Sequence, residues 1–232
     1  LVECELLDRE RRLIERRIKA ARFPVTKSLD AFDFLAIPSV NKPLVLDLAR
    51  GGYIDRRENV IAVGNSGTGK SHLATALGVE AVKAGKSVYF LTLADLIGAL
   101  AKAEREGTLR ERIRFYCRPA LLIVDVIGYL PVVPGGGNLF FQLVNARYEK
   151  SSMILTSNRG FAEWGEIFGS PVVATALLDR LLHHAIVVQI EGSSYRLRRH
   201  ANLLPEPVTT HTAEPKRRGR PPKNGGASNI HT

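Results

Sequence analysis

Val60-Ile-Ala-Val-Gly-Asn-Ser-Gly-Thr-Gly-Lys-Ser71 is the stretch that decides the fold. Residues 64–71 satisfy the pattern G-x-x-x-x-G-K-[ST], a loop whose backbone N–H groups wrap a phosphate. Gly64, Gly67 and Gly69 let the chain turn close to the anion without side-chain clash, while Asn65, Ser66 and Thr68 supply backbone between them. Lys70 brings a positive charge to the β- and γ-phosphates, and the Ser71 hydroxyl suits Mg²⁺. Four apolar residues, Val60–Val63, read as a strand leading into the loop. A helix expected from His72 onward turns its positive N-terminal end to the same phosphates. The alternative, a Gly-rich turn without a ligand, leaves that flanking strand and helix unexplained.

Such a loop needs a carboxylate at the end of a neighbouring strand to hold Mg²⁺. Leu121-Leu-Ile-Val-Asp125 supplies one. A core strand that merely stops at an acid is the plainer reading, but a buried Asp without a cation carries a large desolvation cost. Many ATPases place a glutamate directly after that Asp to orient or deprotonate water; this chain has Val126. Nucleotide binding should survive, and hydrolysis loses its most obvious base. Met153-Ile-Leu-Thr-Ser-Asn158 is a further apolar strand with a polar end, where an amide or hydroxyl such as that of Asn158 can hold water near the γ-phosphate or simply face solvent.

Outward from the loop, Val88–Thr92 and Ile186–Ile190 complete a set of five short apolar strands. Helices are expected between strands, near residues 70–84, 94–105, 138–150 and 172–183. Alternating strands and helices with continuously apolar strands mean an α/β fold, a parallel sheet covered on both faces. The chain divides into a charged helical segment at 1–23, the remnant of an N-terminal helical module; a linker and lead-in at 24–49; an ATP-binding domain at 50–200; and a basic tail at 205–232, expected to be disordered when free. The helix over residues 3–22 should stop before Pro24.

Composition bounds the rest. The 232 residues carry 33 Lys and Arg against 23 Asp and Glu, a net charge of +10. That excess favours a polyanionic partner, nucleic acid or an acidic membrane surface, although some proteins are simply basic. No stretch is apolar enough for a membrane span. Cys4 and Cys117 are too few for a disulfide framework or zinc site, so a reducing, cytoplasmic setting is expected. The first residue is not Met, consistent with a fragment or a processed chain, and nothing at the start resembles a targeting peptide. His183-His184 invites a metal reading, but neighbours on a helix diverge by about 100°, so a structural or DNA-facing role is preferred. Trp164 is expected in the core.

Several runs together resemble one family. The phosphate loop followed by His72-Leu-Ala, Gly128-Tyr-Leu-Pro131, Phe140-Phe-Gln-Leu143, Thr156-Ser-Asn158, Phe161-Ala-Glu-Trp-Gly-Glu-Ile-Phe168, Leu177-Leu-Asp-Arg-Leu-Leu-His-His184 and Glu191-Gly-Ser-Ser-Tyr-Arg196 all look like IstB, over roughly residues 28–200. IstB proteins are helper ATPases of insertion-sequence transposition, AAA+ proteins similar to replicative helicase loaders. The resemblance implies a five-stranded sheet of order 5-1-4-3-2, ATP and Mg²⁺ as cofactors, and homo-oligomers assembled with ATP on duplex DNA beside a transposase. It also implies that Arg180 acts as an arginine finger on a neighbour's γ-phosphate, and that Arg196 is a second phosphate-sensing arginine. His72 joins the nucleotide-binding set with Gly64 to Ser71. Two departures from the family are visible: Val126 in place of glutamate, and Asn65-Ser66 in place of a frequent Pro-Pro or Pro-Gly pair. A helicase loader, or a nucleotide-gated DNA-binding module with little hydrolysis, remains an alternative. In the tail, Pro215-Lys-Arg-Arg-Gly-Arg-Pro-Pro222 resembles an AT-hook, with Arg218, Gly219 and Arg220 as its DNA contacts; a merely solvated basic tail is the competing reading.

Overall fold

The computed structural model describes residues 2–128, 132–192 and 194. In chain order the elements are α1 (Val2–Ala20), α2 (Lys42–Ala49), α3 (Gly52–Asp55), β1 (Asn59–Val63), α4 (Lys70–Lys83), β2 (Val88–Thr92), α5 (Leu93–Arg105), α6 (Leu109–Cys117), β3 (Leu121–Ile127), α7 (Gly136–Arg147), β4 (Ser152–Ser157), a 3-10 turn (Phe161–Glu163), α8 (Trp164–Ile167), α9 (Pro171–Leu182) and β5 (Ala185–Gln189).

All five strands pair in parallel, in the order β2-β3-β4-β1-β5. This is the expected order read from the other edge. Because the sheet is parallel, every strand ends on the same side, and the loops after β1, β3 and β4 converge there.

Side chains alternate across the sheet and feed two cores. Val60, Ala62, Leu121, Ile123 and Ile154 face α4 together with Phe32, Ile37, Val45 and Leu48. Ile61, Leu122, Val124, Met153 and Leu155 face the layer that includes Leu96, Phe140, Trp164 and Leu177. Burial on both faces explains why the strands read as unbroken apolar runs.

Local signals set the helix starts. Asn41 Oδ1 accepts from the Leu44 N–H at 3.0 Å, Thr92 Oγ1 from Asp95 at 3.1 Å, and Ser170 Oγ from Val173 at 3.4 Å with Pro171 opening α9.

The charged α1 is anchored by few contacts. Ile14 and Ile18 pack on the α4-side core, Ala21 is buried, and the Phe90 N–H of edge strand β2 donates to the Ala21 carbonyl at 2.8 Å. Among the described residues, no helix is long and apolar enough to cross a membrane.

Candidate nucleotide-binding site

The phosphate loop joins β1 to α4. Gly69, at φ +93°, is the N-cap of α4 and offers no side-chain cap, so N–H groups of the first turn are left for a ligand. Close packing explains the other glycines. A Cβ on Gly64 would lie 1.9 Å from the Ile190 carbonyl oxygen, and one on Gly67 would lie 2.1 Å from Ser194 Oγ. Inside the loop, the Asn65 carbonyl accepts from Thr68 Oγ1 at 2.8 Å and from Lys70 Nζ at 2.5 Å. Thr68 and Lys70 are buried, whereas Asn65 and Ser66 are exposed.

Asp125 sits near the end of β3, 7 % exposed, and one of its oxygens receives two hydroxyls. Ser71 Oγ donates at 2.8 Å and Thr156 Oγ1 at 2.5 Å. Among the described residues, no cationic side chain pairs with this carboxylate. A buried acid surrounded by hydroxyls suits a hard divalent cation, so the residues present fit Mg²⁺.

Val126 lies at a register shift between β3 and β4, with φ +63° and 40 % exposure. Its N–H donates to Thr156 Oγ1 at 2.9 Å. A left-handed conformation is rare for a β-branched residue, and the bulge turns this side chain outward beside Asp125.

Thr156 is the β4 side chain that reaches Asp125. Asn158 is held through its backbone N–H to the Ile127 carbonyl at 3.2 Å, and its Oδ1 is buried without a hydrogen-bond partner among the described residues. His72 turns to the preceding segment: its Nε2 is 3.0 Å from the Ser28 carbonyl and its ring stands edge-on to Phe32. Phe32 and Ile37 in turn lie beneath Gly69. These supports are not signalled by any periodicity in residues 24–40.

Arg180 lies in the last turn of α9, next to β5, at the edge of the sheet where strands begin. The Leu181 carbonyl accepts there from the amide of Asn59, the first residue of β1. The whole length of β1 therefore separates Arg180 from its own chain's phosphate loop. Its guanidinium rests 4.7 Å from the Tyr148 ring centroid. The helix stops at Leu182, and Glu149, which no spacing in the sequence links to the histidines, approaches both His183 and His184. Trp164 is fully buried. Arg196, Tyr129 to Pro131 and the tail residues Arg218, Gly219 and Arg220 lie outside the described residues.

Residues 1–202 match the profile of the IstB-like ATP-binding proteins. The chain belongs to that family. Within it, an IstB-like protein of Pseudomonas aeruginosa, named as the ATP-binding protein of insertion sequence IS21, is 49% identical over 203 residues, 87% of this chain and 77% of that protein. A Geobacillus stearothermophilus protein, named as the ATP-binding protein of insertion sequence IS5376, is 44% identical over 198 residues, 85% of this chain and 79% of that one.

Among solved structures, the IstB-like chain resembles AMPPCP-bound DnaA from Aquifex aeolicus, with a TM-score of 0.60, 24% identity, and coverage of 78% of this chain and 55% of that one. A DnaI structure gives a TM-score of 0.58 at 18% identity, covering 71% of this chain and 90% of that one. Both likenesses show the fold, an α/β domain built on a parallel sheet. The IstB-like chain spans about half the length of the DnaA chains it matches, 50% and 55% for the two solved with AMPPCP.

Proposed function

We propose that this IstB-like chain is an ATP-dependent DNA-binding helper ATPase that assembles on duplex DNA and stimulates or targets a partner transposase. The observation that carries this reading is the Ser71–Asp125–Thr156 chain at the mouth of the phosphate loop, found in a protein whose relatives are named for insertion sequences. ATP would be held by Gly64 to Ser71, with Lys70 turning from the Asn65 carbonyl to the phosphates. Ser71 and Asp125 would hold Mg²⁺, which supplies charge neutralisation at the phosphates. Asn158 Oδ1, buried and without a hydrogen-bond partner among the described residues, suits a water near the γ-phosphate.

Arg180, far from its own loop, is assigned to the nucleotide of a neighbouring subunit. Arg196 is assigned to a phosphate of the bound nucleotide. The tail residues Arg218, Gly219 and Arg220 are assigned to the DNA minor groove. The setting is cytoplasmic.

Lys70→Ala should abolish ATP binding and ATP-dependent assembly on DNA. Arg180→Ala should leave subunit ATP binding intact and impair assembly. Mixing the two should restore part of the activity, because each contributes one good half-site. ATP binding by folded Lys70→Ala at wild-type affinity would overturn the site. Co-purification of a transposase, as opposed to a hexameric helicase, separates the helper from a helicase loader.

Val126 supports a second reading, a nucleotide-gated DNA-binding module with little hydrolysis. ATP turnover in the presence of DNA distinguishes the two.

A further inference from the structure

The end of the sheet opposite the phosphate loop carries a side-chain cluster that the nucleotide site does not use. Tyr148, the residue at which α7 ends, lies beneath the guanidinium of Arg180, with 4.7 Å between the guanidinium carbon and the ring centroid. The Tyr148 hydroxyl is 2.5 Å from His183 Nδ1, and the two rings are inclined by only 24°. Glu149 Oε1 is 3.4 Å from His184 Nε2 and 3.9 Å from His183 Nδ1.

The backbone beneath is fixed by the lead-in to β1. The Asn59 N–H donates to the His184 carbonyl at 2.7 Å, and the Arg57 guanidinium to the Glu149 carbonyl at 3.1 Å.

We propose that Tyr148, held by His183, is the positioning residue for Arg180. It orders the guanidinium in the free subunit, so that Arg180 meets a neighbour's nucleotide phosphates already aimed. This rests on the trans role of Arg180 proposed above and adds the residue that prepares it. An arginine side chain loses substantial rotamer freedom when it docks, and a side chain held beforehand loses less. The kind of contact matters. A carboxylate partner would occupy the guanidinium fork and neutralise its charge, whereas the face of a ring holds the cation and leaves N–H donors for phosphate oxygens. The nearby acid, Glu149, is engaged by the two histidines, and among the described residues no carboxylate pairs with Arg180.

The test compares single-turnover ATP hydrolysis on duplex DNA by full chains carrying Tyr148→Leu, Tyr148→Phe, His183→Ala or Arg180→Ala, with ATP affinity and melting measured on each. Tyr148→Leu removes the ring and should slow hydrolysis about two- to fivefold at unchanged ATP affinity. Tyr148→Phe keeps the ring and should retain most of the rate. His183→Ala frees the ring without touching the core and should fall between them, which keeps the test open if Tyr148→Leu folds poorly.

Mixing gives the sign that a purely structural role would not. Lys70→Ala subunits lack ATP but donate a well-seated Arg180, so they should restore the rate at Tyr148→Leu sites. The double variant Lys70→Ala/Tyr148→Leu should not. If Arg180→Ala slows hydrolysis while Tyr148→Leu and His183→Ala do not, or if Lys70→Ala subunits restore the rate at Arg180→Ala sites but not at Tyr148→Leu sites, the positioning role is overturned and the trans role stands; if they restore neither, the trans role falls and the positioning role with it. If Arg180→Ala itself leaves the rate unchanged, the trans role falls and this inference with it.

Discussion

Ser71 Oγ donates to Asp125 Oδ1 across 2.8 Å, joining the first turn of α4 to the end of β3. That one contact spans β4, which lies between β3 and β1 in the sheet. Thr156, on the intervening β4, donates to the same oxygen. The carboxylate is thus positioned by two hydroxyls and balanced by neither, an arrangement whose chemistry suits a hard divalent cation.

Asp125→Asn should separate binding from stability. The nucleotide-free protein should melt at or above the wild-type temperature, since a buried charge has been removed. Stabilisation by ATP with Mg²⁺ should shrink, with affinity lower by about tenfold or more. Thermal melting at several Mg²⁺ concentrations reads both effects.

Val126→Glu should raise steady-state turnover, because a missing general base typically costs ~10²–10⁴-fold. Little stability should be lost, as the position is solvent-facing and its left-handed backbone suits an unbranched side chain better than valine. A wild-type rate that is already fast and indifferent to the change would mean another group handles the water.

Gly64→Ala and Gly135→Ala form a matched pair. At Gly64 a Cβ would strike the Ile190 backbone, whereas at Gly135, with φ +80°, it meets nothing within 4 Å. The first should cost at least about 3 kcal/mol and disturb ATP binding. The second should cost only about 1 kcal/mol, the left-handed strain alone. Denaturant unfolding distinguishes them.

Arg147→Met should destabilise the fold by about 3–5 kcal/mol. This side chain is 1 % exposed and donates to the carbonyls of Tyr116, Pro119 and Ser152. Burial draws its pKa down to about 10, so it is still charged at neutral pH. Methionine fills the space but leaves those carbonyls without donors. ATP affinity measured below the melting transition should be little changed.

Truncation after Leu204 should weaken binding to A·T-rich duplex more than to G·C-rich duplex at one ionic strength, if Arg218–Arg220 read a narrow minor groove. Equal weakening would leave only a charged tail. Salt dependence alone would not discriminate, because each lost phosphate contact flattens the slope by about 0.9 in either case.

Much of the site was legible because its chemistry is local. A phosphate loop needs its glycines and Lys70 within eight residues, and Asp125 is marked by the apolar run before it. Strand positions followed for the same reason, within a residue or so at each end. What escaped depends on contacts distant in the chain. Thr156 is one of three polar residues ending β4, and only the pleat, which Asp125 shares, selects it. The α6 helix was not anticipated because Leu-Arg-Glu-Arg-Ile-Arg-Phe-Tyr-Cys carries charge on all sides and buries chiefly Tyr116. Phe32, Ile37 and Val40 enter the core from a segment with no period, where Pro, Asp and Ser interrupt every apolar run. The two histidines looked like helical neighbours only because the end of α9 at Leu182 carries no glycine or proline stop signal.

The place of β1 in the sheet also bears on how the chain acquires its shape. Val60 pairs with Ile154 on one side and Ile186 on the other, so both partners of this strand come from the last third of the described chain. During synthesis the phosphate loop leaves the ribosome early, yet the strand that carries it stays unpaired until β4 and β5 follow. Contacts of such long sequence separation form slowly. The strand that emerges before the other four is therefore among the last to be secured, and ATP competence arrives only with the end of the domain.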